Sequence, residues 1–484
     1  MENSGGNCMV NLHDRSEIKW CSVNLSDVFS RGKRLEASVF DVEAKRARQI
    51  IFKGKFPVAY IGGENGLTTS YTGARFKRIW LEKSDLPIYQ PSSIVDIKPI
   101  PDGYISKLTQ TNVEKLKVHK GQILLTCSGT IGKATYVSET LDNKIFSHDL
   151  LRINCNEPSD AGYIYTYLIS KLGNKILLTN SYGAVITHIE SEHLSTVPIP
   201  NPPNEIKSKI NDLIVKSFAL RDESNKLIDD ATKLLIDELK LPPIEKLELD
   251  LYDPKASVET YSVKLSNLKG RVDGSYHVPV VQAIIDCLKA NAAEVTTIGD
   301  RRISRQIILA GVFKRTYVEE EYGYPFLGGK EITQLNPKTE KYLSRNIHKK
   351  RYEKELKVAE NTILVTDRGT IGITALVPKH WNGYAVSQNV LKLVPADDNI
   401  AGYIYIFLNS EWGKRLLCRQ TYGSVVDMID NNSLSSVEIP LLKNESIQNQ
   451  INLFALEANQ KRYEAYLAEQ EALRIMNEEV IFAK

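Results

Sequence analysis

The hexapeptide CSGTIG occupies Cys127–Gly132, and 240 residues later DRGTIG occupies Asp367–Gly372. Two glycines three residues apart are a weak motif on their own, so the flanking sequence decides what the pair means. The offset of 240 persists without a gap for about 70 residues, and AGYIY at 161–165 accordingly recurs at 401–405. This agreement indicates a tandem duplication. Its unit of about 240 residues has the size of a domain and is far longer than a solenoid repeat.

Upstream of GTIG the two copies still match, but the offset slips to 237 or 238, as differences in loop length would produce. The matching pairs are FKR at 76–78 with FKR at 313–315, YISK at 104–107 with YLSR at 342–345, and RLEAS at 34–38 with RVDGS at 271–275. The duplication therefore covers nearly the whole chain.

Each unit follows the same plan. A basic front half carries short apolar runs bounded by turn residues, which predict β-strands. A short helix is predicted next, and then a last apolar run that leads into a long helix. In the first unit the apolar run before GTIG is 122–126, the short helix opens at 159–160 and closes near Gly173, and the last run ends at Pro200. In the second unit the apolar run is 362–366, the short helix opens at 397–398 and closes near Gly413, and the last run ends at Pro440.

The two long helices carry a seam of nine positions at alternating spacings of four and three residues, which is typical of a coiled coil. Three later seam positions of the second helix are alanines, and small side chains let a partner helix approach closely. We therefore expect the helices to pair antiparallel within the chain; the alternative is two independent surface helices. The seam positions are Ile206, Ile210, Leu213, Ser217, Leu220, Ser224, Leu227, Ala231 and Leu234, and then Ile447, Ile451, Phe454, Ala458, Lys461, Ala465, Ala468, Ala472 and Ile475.

The sequence thus predicts an α+β fold, a tandem pseudo-two-fold repeat of two β-rich domains, each followed by a long helix, with the helices paired as an antiparallel coiled coil. The expected boundaries are a disordered N-terminus at 1–17, a first domain at 18–203, its helix at 204–240, an acidic linker at 241–260, a second domain at 261–442 and its helix at 443–484.

Composition narrows the class of protein. The chain has 484 residues, of which 42% are hydrophobic and 25% charged, as in an ordinary globular protein of several domains. No run of about 18 apolar residues predicts a membrane span, and the N-terminus lacks the apolar core of a signal peptide. The six cysteines form no C-x-x-C pair. This favours free thiols in a reducing cytoplasm over a disulfide framework or a zinc site.

The net charge of +3 is small, but its distribution is uneven. Residues 45–135 hold 15 Lys/Arg against 6 Asp/Glu, and residues 300–375 hold 15 against 10, whereas 235–260 is acidic. Two basic regions suit surfaces that meet phosphate. On charge alone, two well-solvated surfaces explain the pattern equally well.

The GTIG turns lack the length and lysine of a P-loop and the third glycine of a dinucleotide fingerprint. Two glycines at this spacing mark a tight turn whose backbone N–H groups can approach a phosphate or a neighbouring strand, and a purely structural hairpin is the alternative. Basic and polar residues at these turns and at the recurring upstream segments are either DNA contacts or solvated charge. The candidate DNA-binding residues are Arg75, Lys77, Arg78, Lys107, Ser128, Lys133, Lys314, Arg315, Arg345 and Arg368.

Neither a catalytic residue nor a cofactor or metal site is predicted in this chain. The NPPN segment at 201–204 resembles the Asn/Asp-Pro-Pro-aromatic loop of amino-methyltransferases, but Asn204 replaces the aromatic residue that would stack on a flipped base. The second unit reads PLLK at 440–443 instead. His188 and His193 have no histidine counterparts in the second unit, so they are poor candidates for metal ligands.

Taken together, these features resemble the specificity (S) subunits of type I restriction–modification systems and related methylation-based defence systems, over roughly 18–484. At the entrance of the long helix many family members carry a Glu-Gln pair, where this chain reads NEIK and ESIQ, which indicates a divergent branch. The segments that carry the resemblance are ILLTCSGTIGKATYV at 123–137, SYGAVITHIESEHLSTVPIPNPPNEI at 181–206, TILVTDRGTIGITALV at 362–377 and TYGSVVDMIDNNSLSSVEIPLL at 421–442.

The resemblance implies a non-catalytic, cytoplasmic subunit whose two target recognition domains each read one half of a bipartite site in double-stranded DNA. It implies that the paired helices fix the spacing and dock two adenine methyltransferase (M) subunits, which bind S-adenosylmethionine, and that a nuclease or other defence subunit can join. No membrane contact is implied. The expected docking residues are Ile206, Ile210, Leu213, Leu220, Leu227, Ile447, Ile451 and Phe454.

Two rival functions remain open at this point. A self-contained DNA methyltransferase would need a cofactor motif or a carboxylate cluster shared by both units, and neither is found. A non-catalytic scaffold protein of a defence complex would leave the basic charge of both front domains unexplained.

Overall fold

The computed structural model describes residues 22–30, 33, 35, 37–182, 187–251, 260–268, 270–337, 341–423 and 425–483. The N-terminus at 1–17, expected to be disordered, lies outside these residues. Within them the chain divides into two compact units. Unit 1 is drawn from residues 1–95, 99–216 and 468–484, and unit 2 from 96–98 and 217–467.

Unit 1 is built from short strands in three sheets, with helices before and after them in the chain. Its strands are β1 (Val58–Tyr60), β2 (Thr68–Tyr71), β3 (Trp80–Leu81), β4 (Pro87–Tyr89), β5 (Gly103–Ile105), β6 (Ile123–Thr126), β7 (Ala134–Tyr136), β8 (Ile145–Phe146), β9 (Leu150–Cys155) and β10 (Pro198–Pro200). The sheets have the orders β2-β9-β6-β7, β3-β5-β4-β8 and β1-β10. Its helices are α1 (Leu25–Ser30), α2 (Val42–Phe52), α3 (Ala161–Ile169), α4 (Lys171–Leu178) and the start of α5 (Asn204–Leu239).

Unit 2 repeats this plan, with further helices. Its helices are the rest of α5, α6 (Ile244–Leu251), α7 (Pro279–Asn291), α8 (Arg345–Arg351), α9 (Asp398–Asn409), α10 (Glu411–Arg419), α11 (Asn431–Ser435) and most of α12 (Glu445–Ile475). Its strands are β11 (Glu294–Thr297), β12 (Ser304–Ile308), β13 (Tyr317–Val318), β14 (Gly323–Leu327), β15 (Tyr342–Ser344), β16 (Ile363–Thr366), β17 (Thr374–Leu376), β18 (Ala385–Val386), β19 (Val390–Pro395) and β20 (Glu438–Leu441).

The three sheets of unit 2 have the orders β12-β19-β16-β17, β13-β15-β14-β18 and β11-β20, strand for strand those of unit 1. The register is also kept: Ile123 faces Tyr136 across the β6–β7 hairpin, and Ile363 faces Leu376 across β16–β17. In both units the last pair of the second sheet is parallel and the other pairs are antiparallel. The predicted α+β fold with a tandem repeat is confirmed.

The apolar run before each GTIG turn forms the central strand of its sheet and is buried at every residue. In unit 2 the alternation of a strand sends Ile363 and Val365 into a core shared with the helices, whereas Leu364 points into a separate core with Leu327 and Trp381. A strand that is covered on both faces needs apolar residues on both, which explains the unbroken run.

The short helix does not end near Gly173 or Gly413, and that expectation is wrong. α3 and α9 stop before Ser170 and Ser410, and each serine then caps a second helix by accepting from the glycine N–H at 3.1 Å. A Cβ on Gly173 would lie 2.1 Å from the Tyr167 carbonyl oxygen. These glycines therefore allow a sharp corner between two helices.

The long helices pair antiparallel. In unit 2 the Ser217 hydroxyl donates to the Ala465 carbonyl at 2.7 Å, and Lys461 forms an ion pair with Glu223 at 2.6 Å, so the partner number falls as the α5 number rises. In unit 1, Lys209 on α5 pairs with Glu479 in the turn that extends α12. The predicted antiparallel coiled coil is confirmed.

The buried face of α5 differs from the predicted seam, because every second seam position is not fully buried. Leu213, Leu220 and Leu227 were expected to be seam residues, but they are only half-buried. The fully buried residues include Ile210, Ile214, Ile228 and Leu235. The helix packs against α3 as well as against its partner helix, so its buried face is wider than a strict 3.5-residue seam.

The region 241–260, expected to be an acidic linker, contains the helix α6. Glu248 on that helix accepts from Arg415 at 2.8 Å, and Ile244 is buried. Residues 252–259 lie outside the described part of the chain. Among the described helices, none is both long and apolar enough to cross a membrane.

Candidate nucleic-acid interface

The two GTIG turns form matching loops at the ends of the β6–β7 and β16–β17 hairpins. Gly129 and Gly132 have φ of +71° and +84°, and Gly369 and Gly372 have φ of +73° and +82°, which only glycine adopts without strain. A Cβ on Gly129 or Gly369 would meet no atom within 4 Å. The tip of each loop therefore projects away from the protein.

The backbone of each loop is bonded within the protein. The Gly132 N–H donates to the Thr126 carbonyl at 3.1 Å, and the Gly129 N–H donates to the Thr187 carbonyl at 3.1 Å. Ile189 and Ile429 donate to the carbonyls of Cys127 and Asp367, each at 2.9 Å. In unit 1 the protein itself thus takes up the N–H groups of both glycines, and side chains are left to contact an outside ligand.

Ser128 and Lys133 lie at the two ends of the unit 1 loop, and both are half-buried. Ser128 forms a β-bridge with His188. The Lys133 backbone N–H donates to the Thr126 hydroxyl at 3.0 Å. The loop thus places both residues through its backbone.

Arg75, Lys77 and Arg78 precede β3. Arg75 and Lys77 are exposed. The Arg78 guanidinium lies over the rings of Phe76 and Trp80, at 5.8 and 5.7 Å from their centroids. Burial lowers the pKa of His148, and so do the nearby charges of Arg78 and Arg75, against the opposing effect of Asp149. The Phe76 ring, from the same segment, packs edge-on against His148 with 6.2 Å between the ring centroids.

Arg315 and Lys314 take the corresponding places in unit 2. Arg315 donates to the Gln388 side-chain oxygen at 2.5 Å and lies over the Phe326 ring at 5.4 Å. Gln388 occupies the repeat position of His148, 240 residues later. Lys314 is exposed.

Lys107 and Arg345 lie just beyond matching strands. Lys107 is exposed and pairs with Asp85 at 3.0 Å. Arg345 begins α8, donates to the Glu321 carbonyl at 3.4 Å and lies over the Tyr324 ring at 5.7 Å. In water an ion pair as exposed as Lys107–Asp85 contributes little stability, so Lys107 is available to another anion.

Arg368 stands at the base of the unit 2 loop and is bonded to its own neighbour in sequence. Its Nε and Nη2 donate to one oxygen of Asp367, at 3.0 and 2.7 Å. The Asp367 side chain is completely buried, and the Arg368 side chain is 35% exposed. Burial raises the pKa of Asp367, against the opposing effect of Arg368.

Within each unit, hydrogen bonds of neighbouring residues connect two of these candidates, Arg315 with Arg368 in unit 2 and Lys107 with Arg78 in unit 1. In unit 2, Arg315 reaches Gln388, and the next residue, Asn389, accepts from the Asp367 N–H at 3.3 Å. In unit 1 the Ser106 N–H donates to the Ile79 carbonyl at 2.8 Å, and these two residues directly adjoin Lys107 and Arg78. Lys133, at the far end of its loop, is joined to none of these residues by a described contact.

Sequence reasoning missed three kinds of residue that the structure places against these candidates: the His148 and Gln388 pair, the buried partner Asp367, and the aromatic partner Trp80. It also missed the exposed lysines Lys349 and Lys350 on α8, the helix that Arg345 begins. The repeat itself held one signal. Asp367-Arg368 replaces Cys127-Ser128 within otherwise matching segments, and such a charged departure marks a position where the two units differ in chemistry.

The expected docking residues fall into two groups. Ile210 and Ile451 are fully buried, so they stabilise the helix pair and cannot contact another protein. The half-buried residues, which border the seam, are Ile206, Leu213, Leu220, Leu227, Ile447 and Phe454. Among the residues that the structure describes, no group of three or more His, Cys, Asp or Glu side chains could hold a metal ion.

Comparison with known proteins gives one family. The model of the Type I restriction modification DNA specificity domain matches residues 17–229 and 310–458, about three quarters of the chain and a part of each repeat. No curated protein sequence matches the chain.

Solved structures also resemble the chain, at low sequence identity. The S subunit of a type I restriction-modification system from M. genitalium is 13% identical, with 88% of this chain and 95% of that chain covered and a TM-score of 0.33. The HsdS subunit from Thermoanaerobacter tengcongensis is 14% identical, with 86% of this chain and 96% of that chain covered and a TM-score of 0.26. A chain from a study of complex assembly and conformational transition of the type I R-M system is 15% identical, with 87% of this chain and 98% of that chain covered and a TM-score of 0.27. At these TM-scores the family model carries the assignment.

Proposed function

This chain belongs to the type I restriction modification DNA specificity family, and we propose that it reads a bipartite site in double-stranded DNA, one half with each unit. The observation that carries the proposal is the repetition, with the same strand order, of a basic β-rich domain with its projecting loop. Because the loops match in backbone but differ in side chains, they suit two DNA half-sites of different sequence.

In this proposal different residues contact the phosphates and the bases. Exposed cations such as Lys77, Lys107, Lys314 and Arg345 contact phosphates and set the register of the protein on the duplex. Residues at the loop bases and at the His148 and Gln388 positions face base edges, where hydrogen bonds carry sequence information.

The enzymatic step belongs to partners in this proposal. Two adenine methyltransferase subunits dock at the long helices and at the half-buried residues that border the seam, and they bring S-adenosylmethionine. A nuclease subunit joins the complex for restriction, and the assembly works in the cytoplasm. The absence of a cofactor motif in either repeat supports this division of labour.

The test is methylation mapping. The chain is expressed with the methyltransferase subunit encoded beside it, in a host that lacks adenine methylation, and the genome is read by long-read sequencing. We expect one methylated motif with two specified halves and an unspecified gap, and none when this chain is omitted. Methylation that is the same with and without the chain would contradict the proposal.

A second assay tests the division of labour. The purified chain alone is incubated with labelled methyl donor and DNA, and we expect no methyl transfer. Homogeneous chain that transfers methyl groups would restore the self-contained methyltransferase as the function.

A further inference from the structure

Arg368 differs from the other candidate cations because its guanidinium is held by a buried carboxylate. Its Nε and Nη2 both bond one oxygen of Asp367, and the Asp367 side chain has no exposed surface. Asp367 is itself fixed, since its N–H donates to Asn389 and its carbonyl accepts from Ile429. The Arg368 side chain therefore has little freedom left to lose on binding.

The bonds to Asp367 use the side edge of the guanidinium, formed by Nε and Nη2. The outer edge, formed by Nη1 and Nη2, still has N–H groups that can donate to a ligand. Arginine has five N–H donors in a rigid fork, and Asp367 accepts from two of them. Among the described residues, none accepts from Nη1. About a third of the side chain is exposed, so this outer edge can donate two parallel hydrogen bonds to a ligand.

The charge of the pair decides which ligand this fork fits. Since the guanidinium is largely neutralised by Asp367, the pair attracts a phosphate less than an isolated lysine or arginine does. A fixed donor fork still fits two adjacent acceptors. In the major groove, guanine presents N7 and O6 as such acceptors, and bidentate arginine is the commonest contact to it.

The segment beside Arg368 is apolar and exposed. Arg368 forms a β-bridge with Met428, and Met428 forms another with Tyr422. In the connecting loop Val425 is 94% exposed and Val426 is 49% exposed. These side chains can cover the fork from water when the loop meets DNA, which strengthens a polar contact at its centre.

Unit 1 lacks this device. The matching residues are Cys127, a buried thiol in place of the carboxylate, and Ser128, which is too short to form a donor fork. The two halves of the target should therefore differ at the base pair that this loop position faces.

We propose that Arg368, positioned by Asp367, is a specificity-determining residue that reads a guanine in the half-site of unit 2. This inference rests on the proposed function, namely that unit 2 reads DNA. It assigns one base to one residue, and it gives Asp367 a positioning role without contact to DNA.

The first measurement is the methylated motif of a double variant. Arg368→Gln with Asp367→Asn removes both charges and leaves no buried carboxylate unpaired. We expect one G·C position in one half of the motif to become degenerate, with the other half unchanged. Lys314→Gln is the matched control, and it should weaken binding to all sequences without changing the motif.

The second measurement is binding of the methyltransferase complex to a duplex that carries the motif. Each guanine of the unit 2 half-site is replaced in turn by 7-deazaguanine, which lacks the N7 acceptor. One replacement should weaken wild-type binding by roughly 2- to 12-fold, because one of the two bonds of the bidentate contact is lost, and should not weaken binding by the double variant. Asp367→Asn alone should reduce the discrimination between guanine and 7-deazaguanine, because Arg368 loses the carboxylate that holds its guanidinium in place.

The outcomes separate this inference from the proposed function. A bipartite wild-type motif whose unit 2 half requires no guanine overturns the inference and leaves the function standing. An unchanged motif in the double variant, or full guanine discrimination in Asp367→Asn, also overturns it. If the wild-type complex yields no bipartite motif, the proposed function itself fails.

Discussion

Arg152 and Lys392 occupy the same position in the two repeats, 240 residues apart. Both are buried cations, Arg152 on β9 and Lys392 on β19. Arg152 donates to the carbonyls of Leu150, Leu116 and Phe146 at 3.0, 2.7 and 3.1 Å. Lys392 donates to the Lys357 carbonyl at 2.8 Å. Arg152 thus holds the carbonyl of Phe146, two residues before His148, whereas Lys392 holds Lys357, whose backbone forms a β-bridge with Ala385, three residues before Gln388.

Lys392 makes the stability of unit 2 depend on pH. Burial lowers its pKa from the ordinary value of 10.5 to about 8. Between these values the unfolded chain keeps a proton that the folded chain has released, so the free energy of unfolding rises with pH across this window. Relative to Lys392→Met, wild type should gain on the order of 3 kcal/mol at most from pH 7.5 to 10.5. Urea unfolding of both proteins at several pH values measures it, and a constant difference would refute it.

The seam of the long helices gives a second prediction, still at single residues. Ile214 is fully buried and its neighbour Leu213 only half-buried, although the heptad pattern had favoured Leu213. Ile214→Ala should therefore lower the free energy of unfolding by about 2–5 kcal/mol, and Leu213→Ala by clearly less. Denaturant titration measures the free energy of unfolding of both variants. Equal losses would show that Leu213 is as much a part of the seam as Ile214.

At the scale of elements, an asparagine on each long helix holds the N-terminal part of the helix packed on it. Asn452 on α12 accepts from the Gly402 N–H at 2.8 Å and donates to the Asp398 carbonyl at 3.0 Å. In unit 1, Asn211 accepts from the Gly162 N–H at 3.0 Å. Both glycines allow the backbones to approach closely, since a Cβ on Gly402 would lie 2.3 Å from the Asn452 carbonyl oxygen.

Gly402→Ala should accordingly push α9 off α12 and cost about 1–3 kcal/mol of folding free energy. Gly311→Ala is the matched control in the same unit, because its Cβ would meet only the Arg351 side chain at 3.8 Å. Thermal or urea unfolding of the two variants provides the comparison. A Gly402→Ala protein as stable as the control would show that the close approach is not required.

Much of the element order could be predicted because the repeat doubles every signal. The strands before GTIG, the runs that end at Pro200 and Pro440 and both long helices follow directly from apolar pattern. The Ser170 corner was missed because a glycine normally marks a helix end, and here Gly173 lies in the first turn of the next helix. The brace between Asp367 and Arg368 depends on burial of the carboxylate, which no local pattern reveals.

At the scale of the whole molecule, each recognition domain closes on itself. The entry strand β1 pairs antiparallel with the exit strand β10, and β11 pairs in the same way with β20. When the two ends of a domain are adjacent, the domain can be exchanged with little disturbance to what precedes and follows it. The segment 50–200 contains both β1 and β10, so we expect it to be exchangeable as one piece, with its first junction in the last turn of α2.

The helices should set the distance between the half-sites under the proposed function. Residues 204–216 of α5 belong to unit 1 and 217–239 to unit 2, and α12 divides after Leu467. Inserting seven residues at both divisions keeps the heptad phase and adds about 10 Å. The unspecified gap of the motif should lengthen by about three base pairs, as read by methylation mapping. A lengthened chain with an unchanged gap would show that the helices are not the spacer.

The central claim, that each unit reads its own half-site, is tested most directly by exchanging one domain. Residues 50–200 are replaced by the equivalent segment of a related specificity protein, and the methylated motif is mapped in cells that also express the methyltransferase subunit. The account predicts that one half of the motif changes to that of the relative, while the other half and the gap stay the same. A variant that assembles and methylates with both halves changed, or with neither changed, would contradict it.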